Sequence, residues 1–400
     1  MRINKSVIGG SLILLITFNI YNALNFLFQF SMARLLSIID YGILATLFSL
    51  IYIFGIFSES IQTVITKYSV QEKNKGRLKN ILNRSLKKAL IFSTLLFFLY
   101  LFIAIILTYL LKIDYYLLAL TGLVIFTSFL LPINRGMLLG RKMFLSLGIN
   151  LNLEALLKLI SAIVLVLMGW KVYGAMLATI IGLIFTFIFS FSSLKDIRNA
   201  KEKYAKTSGI YEYTTPVFIV SSVIILFYSL DILIAKVVFD STMAGYYAIA
   251  SILSKVIFLG TYPISKAMFP LSAENKDKHK KTNILLNAVI FLLFLISIAL
   301  IAFYFFPDLL IKIFSGKSIT QSSSILFYLG IGTSLLSLAN LFILYNLSIG
   351  QTKGYNFLPL ILIIEAMLLF YFSSNLLSFS IAFIAASAMF LIGSIILLRK

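Results

Sequence analysis

Four charged side chains lie near the middle of long apolar segments: Glu154, Lys158, Lys255 and Glu365. A charge at the centre of a membrane span costs about 2.5 to 3.5 kcal/mol, so these side chains should avoid lipid. Glu154 and Lys158 are four residues apart and share one helical face, which fits either a local ion pair or contacts to a substrate or ion. Lys255 has no opposite charge within one turn, so it either pairs with Glu365 or another acid, or holds an anion such as a diphosphate.

A row of amides follows one stripe of the first apolar segment. Asn19, Asn22, Asn25 and Gln29 are spaced by three, three and four residues, so they stack on one helical face. Such amides serve either as hydrogen-bonding contacts between membrane helices or as a wet wall that binds sugar hydroxyls. Arg34 follows the row at the end of the segment.

Three acids in or near apolar segments are candidates for binding a proton or Na⁺, whose flow would power a transport cycle: Glu59, Asp231 and Glu365. Metal and cofactor chemistry is not expected, because the chain has no cysteine and its one histidine, His279, lies among lysines. We therefore predict no catalytic, cofactor-binding or metal-binding residue.

The composition indicates the elements that must hold these residues. Hydrophobic residues make up 60% of the 400 residues, charged residues 12%, and the mean hydropathy is +1.03. A soluble domain has roughly half apolar and a quarter charged residues, so these values predict an all-α polytopic membrane protein. The first apolar run, from Val7 to about Ala33, is too long for a signal peptide core and predicts a retained span.

Uncharged runs predict about twelve transmembrane helices. They lie near residues 7–33, 41–65, 89–111, 115–134, 144–168, 172–193, 213–235, 244–265, 284–306, 322–346, 355–374 and 377–398. With this numbering, 26 of the 34 lysines and arginines lie on one side, together with both termini. Because such residues are retained in the cytoplasm, both termini should be cytoplasmic, and the net charge of +20 reflects topology instead of nucleic-acid binding.

An internal repeat divides the chain. Residues 33–36 and 40–45 have counterparts six spans later, at residues 235–238 and 243–248, and a second pair of short turns begins at Gly140 and Gly350. A six-span offset inserts both halves in the same sense. We therefore predict two six-helix lobes, residues 1–205 and 206–400, around a central cleft.

Three segments resemble the polysaccharide-export flippases of the multidrug/oligosaccharidyl-lipid/polysaccharide exporter superfamily. They are Arg34 with Asp40-Tyr41-Gly42, then Asp231 to Lys236 with Ala244 to Ala248, and the turn from Arg135 to Arg141. The resemblance implies a two-lobed, V-shaped transporter of undecaprenyl-diphosphate-linked oligosaccharides, such as O-antigen or capsule repeat units. It also implies alternating access, a multi-pass location in the inner (cytoplasmic) membrane and glycan-assembly proteins as partners.

Two other classes stay open. One is a small-molecule or drug antiporter of the same superfamily. The other is a membrane-embedded enzyme, such as a glycan polymerase or acyltransferase, which needs positioned acids, bases or nucleophiles at the membrane surface. The sequence favours a non-enzymatic flippase, because its one histidine lies in a lysine-rich loop on the predicted cytoplasmic side.

Overall fold

The chain folds into helices that are joined by short turns. The computed structural model describes residues 5–205, 211–274, 278–350 and 355–396, and no strand occurs within these ranges. The first eight helices are α1 (Lys5–Leu35), α2 (Ile38–Gln71), α3 (Lys75–Leu111), α4 (Tyr115–Gly122), α5 (Val124–Gly140), α6 (Phe144–Leu165), α7 (Lys171–Ser190) and α8 (Lys195–Arg198). The next eight are α9 (Tyr211–Val238), α10 (Ser241–Ser254), α11 (Val256–Glu274), α12 (Lys278–Phe305), α13 (Pro307–Ser315), α14 (Thr320–Ser348), α15 (Leu358–Tyr371) and α16 (Leu376–Ile396).

The predicted membrane fold is confirmed. Nine apolar helical segments in the described part of the chain are long enough to cross a membrane, and Tyr355–Tyr371 is a shorter apolar one. Each of the twelve predicted spans overlaps a described helix. The cytoplasmic location of the termini stays a prediction.

The chain forms two compact units. The first unit comprises Met1–Leu36 and Leu50–Phe218, and the second comprises Ser37–Ser49 and Ile219–Lys400. Helix α2 therefore contributes its first turns to the second unit and its remainder to the first. The lobe boundaries of 1–205 and 206–400 stay a prediction.

Small residues let helices approach closely in the first unit, where α1 packs against α6 and α6 against α7. A Cβ on Gly148 of α6 would lie 2.5 Å from the Thr17 hydroxyl oxygen of α1. A Cβ on Gly182 of α7 would lie 3.0 Å from the Glu154 carbonyl oxygen of α6. Because membrane helices associate through such close packing, these glycines set the spacing of the helices that carry the site.

The second unit is built around α14, which packs against α10, α11 and α16. Phe227 of α9 and Phe390 of α16 are both fully buried, with ring centres 4.9 Å apart. On α14, Gly332 leaves room for the ring of Phe383, because a Cβ at position 332 would lie 2.5 Å from that ring. This aromatic core holds α9 and α16 in place around the polar groups described below.

The third helix of each predicted lobe is peripheral. Only 17% of the apolar span is buried in α3, and the same holds for α12, compared with 67% for α14. Large apolar side chains such as Phe102 and Phe294 are exposed along them. An exposed surface of this length and polarity fits contact with lipid.

Candidate functional site

A polar cluster lies inside the first unit, where α1, α5 and α6 meet. This first cluster consists of Tyr21, Asn25, Arg135, Glu154 and Lys158. Arg135 donates to Glu154 Oε2 at 2.5 Å, and the Tyr21 hydroxyl donates to Oε1 at 3.3 Å. The Lys158 ammonium donates to Asn25 Oδ1. Each charged group of the cluster is therefore held by a polar partner, as burial in an apolar protein requires.

The helices position the first cluster through spacing and hydrogen bonds. Glu154 and Lys158 lie one turn apart on α6 and face α1 together. Arg135 is fixed from α5 by a second donation, from its Nε to Asn150 Oδ1 at 2.8 Å. Asn150 in turn donates to the Thr186 carbonyl oxygen at 2.8 Å, so the guanidinium is held at a defined angle.

A second polar cluster lies inside the second unit and consists of Asp231, Tyr247, Ser251, Lys255 and Glu365. Asp231 Oδ1 accepts from the Lys255 ammonium at 2.8 Å. Its Oδ2 accepts from the Tyr247 hydroxyl at 3.1 Å and from the Ser251 hydroxyl at 2.7 Å. Asp231 therefore has the donors that an ionised, buried carboxylate needs.

Glu365 differs from the other acids of the two clusters. It is fully buried on α15, and neither carboxyl oxygen has a hydrogen-bond partner within the described residues. It interacts electrostatically with the Asp231 carboxylate, the Lys255 ammonium and the Tyr247 hydroxyl. A buried carboxylate without donors is costly, so Glu365 is the unusual group of the second cluster.

The two clusters have opposite charge balances. Formally, the first contains two cations and one carboxylate, and the second contains one cation and two carboxyl groups. Both ion pairs are largely shielded from solvent: the side chains of Arg135 and Glu154 are 11% and 8% exposed, and those of Lys255 and Asp231 are 3% and 0% exposed. The positive balance of the first cluster thus suits an anion, and the extra carboxyl group of the second suits a small cation such as a proton.

The clusters nevertheless share a design. In each, a lysine lies above an aromatic ring of the first helix of its predicted lobe: Lys158 Nζ is 4.8 Å from the Phe28 ring centre, and Lys255 Nζ is 4.6 Å from that of Tyr228. Each also has a glutamate, Glu154 or Glu365, on the helix of the fifth span of its predicted lobe. The glutamates match the repeat in the sequence, whereas the lysines lie on different spans of their lobes, α6 and the junction of α10 and α11.

A groove on the second unit has different chemistry. Its volume is about 900 Å³, and it is lined by Leu230 of α9 and by seven residues of α15: Leu362, Ile363, Ala366, Met367, Leu368, Phe370 and Tyr371. Almost all of these side chains are apolar, so the groove suits hydrocarbon and not a sugar.

The other predicted residues take separate positions on α1 and α2. Arg34 is exposed, and its guanidinium carbon lies 4.5 Å from the centre of the Phe30 ring. Asn22 and Gln29 are half-buried, whereas Asn19 and Glu59 are exposed. Of the amide row, Asn25 bonds to Lys158 and also donates to the Tyr21 carbonyl oxygen at 2.8 Å.

The structure shows which of the predicted ion pairs form. The ion-pair partner of Glu154 is Arg135 and not Lys158. Lys255 pairs with another acid, Asp231, and not with Glu365, so the second of the two predicted pairings forms. The sequence predicts a turn at Arg135, but α5 continues to Gly140, which places Arg135 inside the helix. Its position three residues after Pro132 in an apolar run is the signal that could have identified it.

A family profile described as "Polysaccharide biosynthesis protein" matches residues 31–324. The chain belongs to this family. The match covers the three segments that carried the resemblance and confirms it. A comparison of this polysaccharide biosynthesis protein with curated sequences finds no match.

Three solved structures that share the fold are transporters. An inward-facing multidrug resistance MATE family transporter of the MOP superfamily has a TM-score of 0.75 at 13% identity, over 96% of this chain and 94% of its own. The lipid II flippase MurJ, in an inward closed conformation, has a TM-score of 0.75 at 14% identity, over 97% of this chain and 88% of its own. A MOP superfamily transporter from Pyrococcus furiosus Vc1 has a TM-score of 0.58 at 16% identity, over 99% of this chain and 95% of its own. These likenesses show the fold of this polysaccharide biosynthesis protein.

Proposed function

We propose that this protein is a flippase that moves a lipid-linked oligosaccharide, with a polyprenyl-diphosphate anchor, across the cytoplasmic membrane by alternating access. The family match and the shared fold of a lipid II flippase support this proposal. O-antigen or capsule repeat units are the proposed cargo, and glycan-assembly proteins are the proposed partners.

The observation that carries the proposal is the cationic excess of the first cluster. Arg135 and Lys158 face a single carboxylate, Glu154, within helices that cross the membrane. Two cationic side chains close together at a site shielded from water attract an anion strongly. A diphosphate is such an anion, and guanidinium groups bind phosphate oxygens in a planar, two-point geometry.

Polar groups near this cluster fit a glycan. Asn25 and Tyr21 belong to the cluster, and Asn22 lies half-buried on the same helix. Amides and hydroxyls both donate to and accept from sugar hydroxyls, whereas a drug cation would find the wrong charge at Arg135 and Lys158. The apolar groove of the second unit offers hydrocarbon chemistry for a lipid.

An antiporter of small molecules is the second candidate, because a MATE transporter shares the fold to the same degree as the lipid II flippase. The charge of the first cluster favours the flippase over an exporter of cationic drugs. A membrane enzyme is disfavoured, since the structural neighbours above are transporters.

Proteoliposomes test the proposal. The purified protein is reconstituted with a fluorescent undecaprenyl-diphosphate-linked disaccharide, and movement between leaflets is followed by quenching with a membrane-impermeant reductant. We expect flipping above that of protein-free vesicles, and at least a tenfold loss in Lys158→Gln, since a bond to a charged group contributes about 1.5 to 3 kcal/mol. Lys312→Gln is the matched control, because Lys312 is exposed on α13 and outside the cluster. Export of a cationic dye without movement of the lipid-linked disaccharide would support the antiporter instead.

A further inference from the structure

Asp231 is already saturated with donors. Lys255, Tyr247 and Ser251 donate to its two oxygens, and the residue is fully buried. An ionised carboxylate in this environment holds the ammonium of Lys255 as its counter-ion. Asp231 and Lys255 therefore form a neutral pair.

Glu365 lies beside this pair without donors of its own. Both of its oxygens are buried and lack hydrogen-bond partners within the described residues. Glu154, which lies on the fifth span of the first predicted lobe, provides an internal reference, because it accepts hydrogen bonds from both Arg135 and Tyr21. A buried glutamate at this place in a lobe can thus receive hydrogen bonds from donors, as Glu154 does, but Glu365 receives none within the described residues.

Within the described residues, three ionisable side chains interact electrostatically with Glu365. Asp231 comes from α9, Tyr247 from α10, and Lys255 from the junction of α10 and α11. Helix α16 packs against α15 and contains no ionisable residue. The single ammonium can neutralise only one of the two carboxyl groups, so the other is at lowest free energy when it carries a proton.

We propose that Glu365 is a proton-binding site, and that its deprotonation recruits Lys255 away from Asp231. The exchange moves one proton from the Glu365 carboxyl group to water and shifts the ammonium between two carboxylates. A proton fits this site better than Na⁺, because the ammonium of Lys255 already occupies the position of the cation and would repel a second one.

The exchange gives the second unit two arrangements. With Glu365 protonated, Lys255 is bound to α9 through Asp231, as in the structure. With Glu365 ionised, Lys255 is shared with α15. This couples proton binding to the relative positions of α9, the junction of α10 and α11, and α15. The role of this site in driving transport rests on the proposed function, whereas the protonation of Glu365 does not.

Infrared difference spectroscopy of the purified full-length protein, titrated with acid and base, tests the site directly. We expect a protonated-carboxyl band at neutral pH that is absent from Glu365→Gln and present in Asp308→Asn, which removes an acid at the start of α13. In Asp231→Asn, Lys255 loses its carboxylate partner. Its ammonium should then stabilise the deprotonated form of Glu365, so the band should also disappear. A wild-type protein without the band, or a Glu365→Gln variant that keeps it, would overturn the proposal.

Transport provides the second measurement. In the proteoliposomes described above, an imposed pH gradient should change the flipping rate of the wild type several-fold and leave that of Glu365→Gln unchanged, whereas a Na⁺ gradient should affect neither. A wild-type response to Na⁺ alone would overturn the assignment of the ion. If the infrared band behaves as expected but no lipid moves, the proton site stands and the proposed flippase function fails.

Discussion

Gly42 of α2 and Gly245 of α10 pack backbone against backbone within the second unit. A Cβ on Gly42 would lie 2.8 Å from the Gly245 Cα, and a Cβ on Gly245 would lie 2.4 Å from the Ile38 carbonyl oxygen. The two glycines occupy corresponding positions of the sequence repeat. The repeat thus brings its own equivalent residues into contact, and it fixes the first turns of α2 to the second unit.

This contact predicts that alanine is harmful at both positions. Gly42→Ala or Gly245→Ala should destabilise the protein by about 1 to 3 kcal/mol, the usual cost of an added methyl group in a packed interface. Thermal unfolding in detergent measures the effect. Gly55→Ala is the control on the same helix, since a Cβ added there would meet no atom within 4 Å, and it should leave the melting temperature unchanged or raised.

The pair of Asp231 and Lys255 predicts unequal effects of its two single substitutions. Lys255→Met leaves a buried carboxylate uncompensated and should cost about 3 to 5 kcal/mol. Asp231→Asn should cost less, because Glu365 can take over the ammonium. The double variant should recover much of the loss of Lys255→Met, since replacement of a whole buried pair is often nearly neutral. Denaturant unfolding of the wild type, the two single variants and the double variant gives a double-mutant cycle. Losses of unfolding free energy that simply add in the double variant would argue against the pairing.

The charge bias predicts the orientation of the chain, and the absence of cysteine makes it easy to measure. A cysteine introduced at Ser318, which is exposed before α14, should react with a membrane-impermeant maleimide added to intact cells. One introduced at Lys73, which is exposed before α3, should react only after lysis. The reverse pattern would show that the chain is inserted in the opposite sense.

Asp196, in helix α8 outside the membrane-spanning segments, predicts a pH dependence of stability. Arg141 donates to both of its oxygens, at 3.0 and 2.7 Å, and Lys75 lies 3.1 Å away. The hydrogen bonds from Arg141 lower the pKa of the Asp196 carboxyl group, with a further contribution from Lys75. Because the folded-state pKa lies below the unfolded-state value, the stabilisation is present above the unfolded pKa and is lost as the pH falls through the folded one.

Asp196→Asn should therefore lower stability by at most about 1 kcal/mol at neutral pH, since the side chain is partly exposed and screened by solvent. The difference from the wild type should shrink below the ordinary Asp pKa of 3.8. Melting temperatures measured across the acid range check this. A difference that stays constant from neutral to strongly acidic pH would mean that Asp196 acts through packing.

The fold could be predicted from the sequence because membrane spans follow from local apolar length, which needs no knowledge of partners. The site could be predicted only in part. Their position in the middle of apolar segments marked Glu154, Lys158 and Lys255 as important. Their partners come from other helices, however, and a single sequence cannot pair Glu154 with Arg135 across 19 residues. The lack of donors around Glu365 within the described residues likewise depends on packing.

The central claim is that the cationic excess of the first cluster binds the diphosphate of a lipid-linked glycan. The most direct measurement compares flipping of an undecaprenyl-diphosphate-linked disaccharide with flipping of the same disaccharide on an uncharged lipid, by the wild type and by Lys158→Gln. We predict at least a roughly tenfold preference of the wild type for the diphosphate-linked lipid, which Lys158→Gln loses while Lys312→Gln keeps it. Equal flipping of the two lipids by the wild type would contradict the account.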